Sequence, residues 1–344
     1  MGNDLALGVT FGAVGPAPAA PRYSVIDIGA IAHPEAMSSD VIAFAGGQVV
    51  GEFVRDLAGP RAYWIYDVAS GTARDLPGGF VPVSANGKGD LLGSIVHDDK
   101  STALAVLSSG GNLTELSVPG GGKLADGPSG INDSGLIFGN GFLDAKTSAR
   151  APFLLGPNGI QNLPFKGASA YAIAMNNAGL LVGHSSTELN ANPQAVVWRD
   201  GVSVELGALN RQGWYSYASA VNDQGLVAGE LGQYGPTRQR SVFLWDADGM
   251  RDLGKPPSCQ WVCTPNGMNH WGQIVGQARD EIEPPHYNGW IWRDGAYTPL
   301  QDLIDAADVT IEIPRAIDDD GRIAAWGRPV RGGGQRALLL VPAR

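Results

Sequence analysis

The chain has 344 residues, including 49 glycines, 34 acidic side chains against 24 basic ones and two cysteines. The formal net charge of −10 argues against a nucleic-acid partner, because phosphate binding needs a basic surface. Two cysteines make neither a disulfide scaffold nor a four-ligand zinc site by themselves. A charged fraction of 17% fits neither a disordered chain nor a coiled coil, and no apolar run approaches the roughly 20 residues that span a bilayer.

Residues 1–22 come first and differ from the rest. Residues 5–14 are mildly apolar and lead into Pro16-Ala-Pro-Ala-Ala-Pro21, with no Lys or Arg ahead of them. The segment reads as a flexible leader or the remnant of an export signal, and its proline-rich end as an extended linker.

From residue 23 the chain repeats itself. The phrase Ile131-Asn-Asp-Ser-Gly-Leu-Ile-Phe-Gly139 returns as Met175-Asn-Asn-Ala-Gly-Leu-Leu-Val-Gly183, Val221-Asn-Asp-Gln-Gly-Leu-Val-Ala-Gly229 and Met268-Asn-His-Trp-Gly-Gln-Ile-Val-Gly276. Weaker copies begin at Ala45, Ala85 and Ile317. The turn glycines Gly47, Gly89, Gly135, Gly179, Gly225, Gly272 and Gly321 are 42, 46, 44, 46, 47 and 49 residues apart, giving seven units of nearly one length.

Each unit carries four strand signals in a fixed order. A small-residue strand comes first, as in Tyr217-Ala-Ser-Ala-Val221, followed by the Asn-Asp-x-Gly turn, in which Asn or Asp bonds its own backbone and Gly accepts positive φ. An apolar strand follows, then a third ending in Trp64, Trp198, Trp245 or Trp292, then a tight turn such as Asp200-Gly201 and a fourth strand. Four antiparallel strands per unit is a propeller blade. The only helical spacing is a weak one over residues 300–307.

The ends of the chain complement each other. The seventh unit stops after three strands, the third at 337–341, while residues 23–28 read as a fourth strand set before the first unit. The expected fold is therefore a single all-β, seven-bladed propeller over 23–344. Strand 23–28 would pair beside 337–341 and cover edges that would otherwise be unpaired. Small residues two positions before the turn (Ser84, Gly130, Ala174, Ala220, Gly267 and Ala316) suit innermost strands that converge.

The recurring phrase, followed by a Trp-x-Asp-Gly turn and a Leu-Gly end, resembles the HAF-type extracellular repeat proteins over nearly the whole chain. The namesake His-Ala-Phe positions depart here, reading Arg61-Ala-Tyr63, Thr102-Ala-Leu104, Gln194-Ala-Val196, Ser241-Val-Phe243 and Arg336-Ala-Leu338. The resemblance implies a secreted or surface-associated propeller and no particular reaction.

Local catalytic motifs are missing: no Gly-x-Ser-x-Gly elbow, His-Glu-x-x-His pair or phosphate loop occurs. The Asp-rich turns, such as Asp318-Asp-Asp-Gly321, lack the remaining oxygens calcium needs, so no metal and no cofactor is expected. Cys259-Gln-Trp-Val-Cys263 suits a small-loop disulfide in an exported protein; two buried thiols are the other reading. Of the five histidines, all but His270 fall in expected connections, where a histidine is ordinarily solvated, and His184, directly after Gly183, is best placed to point inward.

Long aromatic loops gather around units four to six, and loops on a rigid scaffold carry function. The expected function is recognition of a small polar molecule or glycan at one mouth of the central channel. Trp214, Tyr217 and Trp261 would stack on it, and His184, Glu230 and Arg240 would bond it. The alternative is a cofactor-free lyase, cyclase or hydrolase. In it His184 or His286 is the base, Glu230 or Glu283 the acid, and Arg240 steadies negative charge. A protein-interaction platform is the third reading. A monomer in an extracellular or periplasmic location is expected, with the cytoplasm open.

Overall fold

The computed structural model describes residues 22–343, apart from 57–58, 117–127, 143–148, 188–191, 236–238 and 281–285. The expected leader therefore lies outside the described residues except for Arg22. Among the described residues the strands form seven four-stranded antiparallel sheets, with a short helix at Ile28–Ala32 and a 3-10 turn at Leu300–Leu303. The turn is all that remains of the helical spacing near residue 300. The helix was not expected, and Asp27 caps it by accepting from the Ala30 amide at 2.8 Å.

Blades 1 to 6 occupy residues 38–75, 80–115, 128–162, 169–207, 214–254 and 262–299, each with its strands in chain order. Blade 7 takes three strands from 309–342 and its outermost strand, Tyr23–Asp27, from the other end of the chain. Tyr23 pairs with Pro342 and Asp27 with Leu338 in one antiparallel register. The expected closure is thus present, one residue shorter at its end.

The chain divides into two compact units, one holding residues 128–265 and the other 22–116 and 266–343. In the first, apolar residues of blades 4 and 5 pack together, among them Val182, Val197, Ala218, Val227 and Phe243. In the second, Ile28, Val49 and Trp64 pack with Ala337 and Leu339, joining blades 7 and 1.

In six first strands the ladder slips by one residue, leaving Ile42, Val83, Ser129, Ile173, Ser219 and Arg315 outside the register. These are bulges, which bend a strand and raise its twist. The small residue expected two positions before the turn comes directly after the bulge.

The turn asparagines do more than cap. Asn132, Asn176, Asn222 and Asn269 are buried. Each side-chain oxygen accepts an amide four residues on, as Leu180 N donates to Asn176 Oδ1 at 2.9 Å. In three of them the Nδ2 then reaches the following blade: Asn132 donates to the Asn176 carbonyl at 3.3 Å, Asn176 to the Asn222 carbonyl at 2.9 Å, and Asn269 to the Asp318 carbonyl at 3.1 Å. A parallel exposed rung links the Asn177 amide to Asp223 Oδ1 at 2.8 Å.

The second glycine of the repeat makes room for an aromatic ring. A Cβ on Gly51 would lie 2.1 Å from Trp64, and one on Gly229 would lie 2.4 Å from Phe243. In blade 6 the ring opposite this glycine is Trp290, which pairs with Gly276. Trp290 is buried, while Trp292, expected as the counterpart of Trp64, sits two residues further along the strand. Cys259 and Cys263 are joined in a disulfide.

Candidate functional site

The side chains that gather polar chemistry lie on blades 4 and 5, within the unit of residues 128–265. The expected first strand of blade 5 starts earlier than its sequence pattern suggested, running Trp214–Val221. What read as a loop ahead of the blade is therefore strand. Side chains two apart on a strand share a face, so Tyr215 and Tyr217 point the same way. Register places Tyr217 opposite Glu230 and Gly232 opposite Arg240, which brings all three side chains to that face. Gly232 is needed there: a Cβ would sit 2.3 Å from the Tyr215 hydroxyl.

Glu230 is the hub and is only 7% exposed. Its Oε1 accepts from the Tyr215 hydroxyl at 2.8 Å and from Arg240 Nη1, which also contacts the Tyr215 oxygen. Thr264 Oγ1 donates to Oε2 at 3.2 Å, and the Cys263 amide adds a further bond. Burial pushes the Glu230 carboxyl up to about 7, against the bonds from Thr264 and Cys263. The Arg240 guanidinium favours its ionised form, and burial pulls Arg240 itself down.

Beside this hub runs a panel of rings. His184 lies within the strand Leu181–Ser186 rather than in a connection. Its ring stacks on Tyr171 at 5.2 Å and meets Tyr217 edge-on at 4.6 Å. Burial holds His184 down at about 4, so it is neutral near pH 7. The Tyr217 hydroxyl bonds that of Tyr234 at 2.6 Å, and burial raises its pKa. The Tyr234 ring packs 4.6 Å from Tyr215, yet the residue is 52% exposed. Two buried nitrogens of the cluster, His184 Nδ1 and Arg240 Nε, have no hydrogen-bond partner among the described residues.

The structure therefore brings together His184, Tyr217, Glu230 and Arg240. Trp214 points to the opposite face, where it packs against the apolar core of blades 4 and 5 under the Arg211 guanidinium at 4.5 Å. Trp261 lies half-buried inside the disulfide loop. His286 belongs to the other unit, where its Nδ1 lies 3.2 Å from Asp280, and Glu283 lies outside the described residues. Tyr171, Tyr215 and Thr264 were not singled out from sequence. The Tyr-x-Tyr alternation at 215–217 was a usable signal for Tyr215, whereas Tyr171 and Thr264 carry none. Among the described residues no three His, Cys, Asp or Glu side chains group as metal ligands.

The arrangement can stack a flat apolar ring face and bond hydroxyls without presenting a free charge. It does not present an unengaged carboxylate, because Glu230 is held from several sides.

No protein-family model matches the chain, and no curated protein matches it either. Solved structures do. The β-propeller domain of the Trilobed protease from Pyrococcus furiosus aligns with a TM-score of 0.60 at 11% identity, over 89% of this chain and 96% of that one. The fold is a β-propeller. An oligogalacturonate lyase, solved in complex with manganese, aligns with a TM-score of 0.59 at 11% identity, over 97% of this propeller and 99% of that chain. Pyrococcus horikoshii acylaminoacyl peptidase aligns with a TM-score of 0.59 at 11% identity, over 88% of this chain. The propeller spans about half of that peptidase's length, 50%.

Proposed function

We propose that this propeller is a secreted or surface-associated binding protein of the HAF-repeat type. In this reading its panel of Tyr171, His184, Tyr217 and Tyr234 takes a carbohydrate. The observation that carries the proposal is the exposed Tyr234 ring, pinned by its hydroxyl to Tyr217 next to a neutral His184 with an unpartnered nitrogen. Tyrosine rings offer an apolar face to the C–H side of a sugar and a hydroxyl to its edge. Glu230 and Arg240 act behind the panel, fixing Tyr215 and through it the seat of Tyr234. The secreted location is supported by the repeated phrase and the disulfide, which forms and persists in oxidising compartments.

A glycan array followed by calorimetry on the best binder tests this. Tyr234→Ala is expected to weaken binding about tenfold, the worth of one stacked ring, with little loss of stability because the ring is half exposed. An array with no binder, or affinity unchanged in both Tyr234→Ala and His184→Gln, contradicts the reading.

A cofactor-free enzyme is the second reading, favoured by Glu230 near neutrality beside Arg240. That reading predicts product formation from the bound glycan, abolished in Glu230→Gln while binding persists.

A further inference from the structure

The other unit holds a pocket of ≈ 250 Å³ between blades 6 and 7, whose rim carries His286, Asn288, Gln301, Thr310, Glu312 and Arg328. Its walls include Pro299 and Ile311. The polar groups are arranged rather than scattered. Asp280 fixes His286 twice, through its backbone amide at 3.1 Å and its Nδ1 at 3.2 Å. Gln301 is locked between the Val309 carbonyl at 3.2 Å and the Ile311 amide at 3.1 Å, stiffening the rim. Glu312 Oε1 has the Thr310 hydroxyl at 3.4 Å and Arg328 Nε at 3.6 Å. The Arg328 guanidinium also lies over the Trp326 ring at 5.8 Å. Asn288 lines the same pocket and brings a side-chain amide to it.

Charge decides what such a pocket accepts. A cation would meet Arg328 beside Glu312, and an anion would meet Glu312 beside Arg328. A neutral hydroxyl both donates and accepts, so it satisfies the carboxylate on one side and the guanidinium or Asn288 amide on the other. The volume lies just under the roughly 300 Å³ where drug-sized pockets begin, which suits one ring and not a chain. We propose that the pocket lined by Glu312, Arg328, Asn288 and His286 is a second binding site, taking a single neutral polyhydroxylated ring such as a monosaccharide or cyclitol.

The site is built from residues of blades 6 and 7 alone, so it does not depend on the tyrosine panel of blades 4 and 5. Saturation-transfer NMR on the full chain with glucose, galactose and myo-inositol, then with alanine as a zwitterion and acetate as an anion, tests it. At least one neutral ring is expected to bind, with affinity lowered about tenfold in Asn288→Ala and in Glu312→Ala at an unchanged melting temperature. Tyr234→Ala should leave this binding intact, which separates the site from the panel. If Glu312→Ala unfolds the chain, Asn288→Ala alone decides. Binding only of alanine or acetate, no binding at all, or a neutral ring whose affinity ignores Asn288→Ala overturns the proposal.

Discussion

At His184 and Glu230 burial acts on two protons in opposite senses. The folded chain holds His184 at about 4, below the unfolded value near 6.5, so between these limits the unfolded state binds the extra proton. Stability from this residue is present above about pH 6.5 and is lost as pH falls toward 4, an effect of about 2 kcal/mol by pH 5. Glu230 stands at about 7 in the folded chain, above the unfolded value near 4.3, so here the folded state binds the extra proton. Its contribution is present at low pH and is lost as pH rises through 7. Thermal melts from pH 5 to 8 check both signs. Relative to the parent, His184→Gln should gain stability as pH falls, and Glu230→Gln should gain it as pH rises. Equal slopes for the two variants contradict this account. Neither shift was readable in the sequence, because each depends on ring packing from strands far apart along the chain.

Among the elements, the repeated turn was legible and its reach was not. Spacing and the Asn-x-x-Gly phrase gave its place, and the glycine its positive φ, observed as 80° at Gly135 and 83° at Gly225. That the buried Asn176 amide also donates to the Asn222 carbonyl follows from blade stacking, which no local pattern records. Asn176→Ala leaves the Leu180 amide unsatisfied in a buried turn and removes one of two bonds to the Asn222 carbonyl, which keeps the Gly225 amide at 3.1 Å; it should cost about 2–3 kcal/mol. Asn177→Ala, on the exposed rung, should cost about 1 kcal/mol or less. Chemical denaturation of both separates the two, and equal losses would contradict the buried ladder. The same limit explains the candidate site. His184, Glu230, Tyr217 and Arg240 were reachable from the strand pattern of neighbouring repeats. Trp214 differs only in parity, since one step along a strand turns a side chain to the opposite face and into the core. Thr264 enters only through the neighbouring strand beside Glu230.

For the whole molecule, seven near-equal repeats with a displaced strand signal at each end made the propeller legible before any coordinates. The residue differences between glycines set the blade count, and alternation within strands set the faces. Ring closure rests on strand Tyr23–Asp27 completing blade 7. Hydrogen–deuterium exchange read by mass spectrometry tests it most directly, because an amide in a closed ladder exchanges only through opening of its cooperative unit. The peptide covering residues 23–27 should be protected to the same extent as the peptide covering 337–341, and both should lose protection together in rising denaturant. Exchange of 23–27 within seconds while 337–341 stays protected would contradict it.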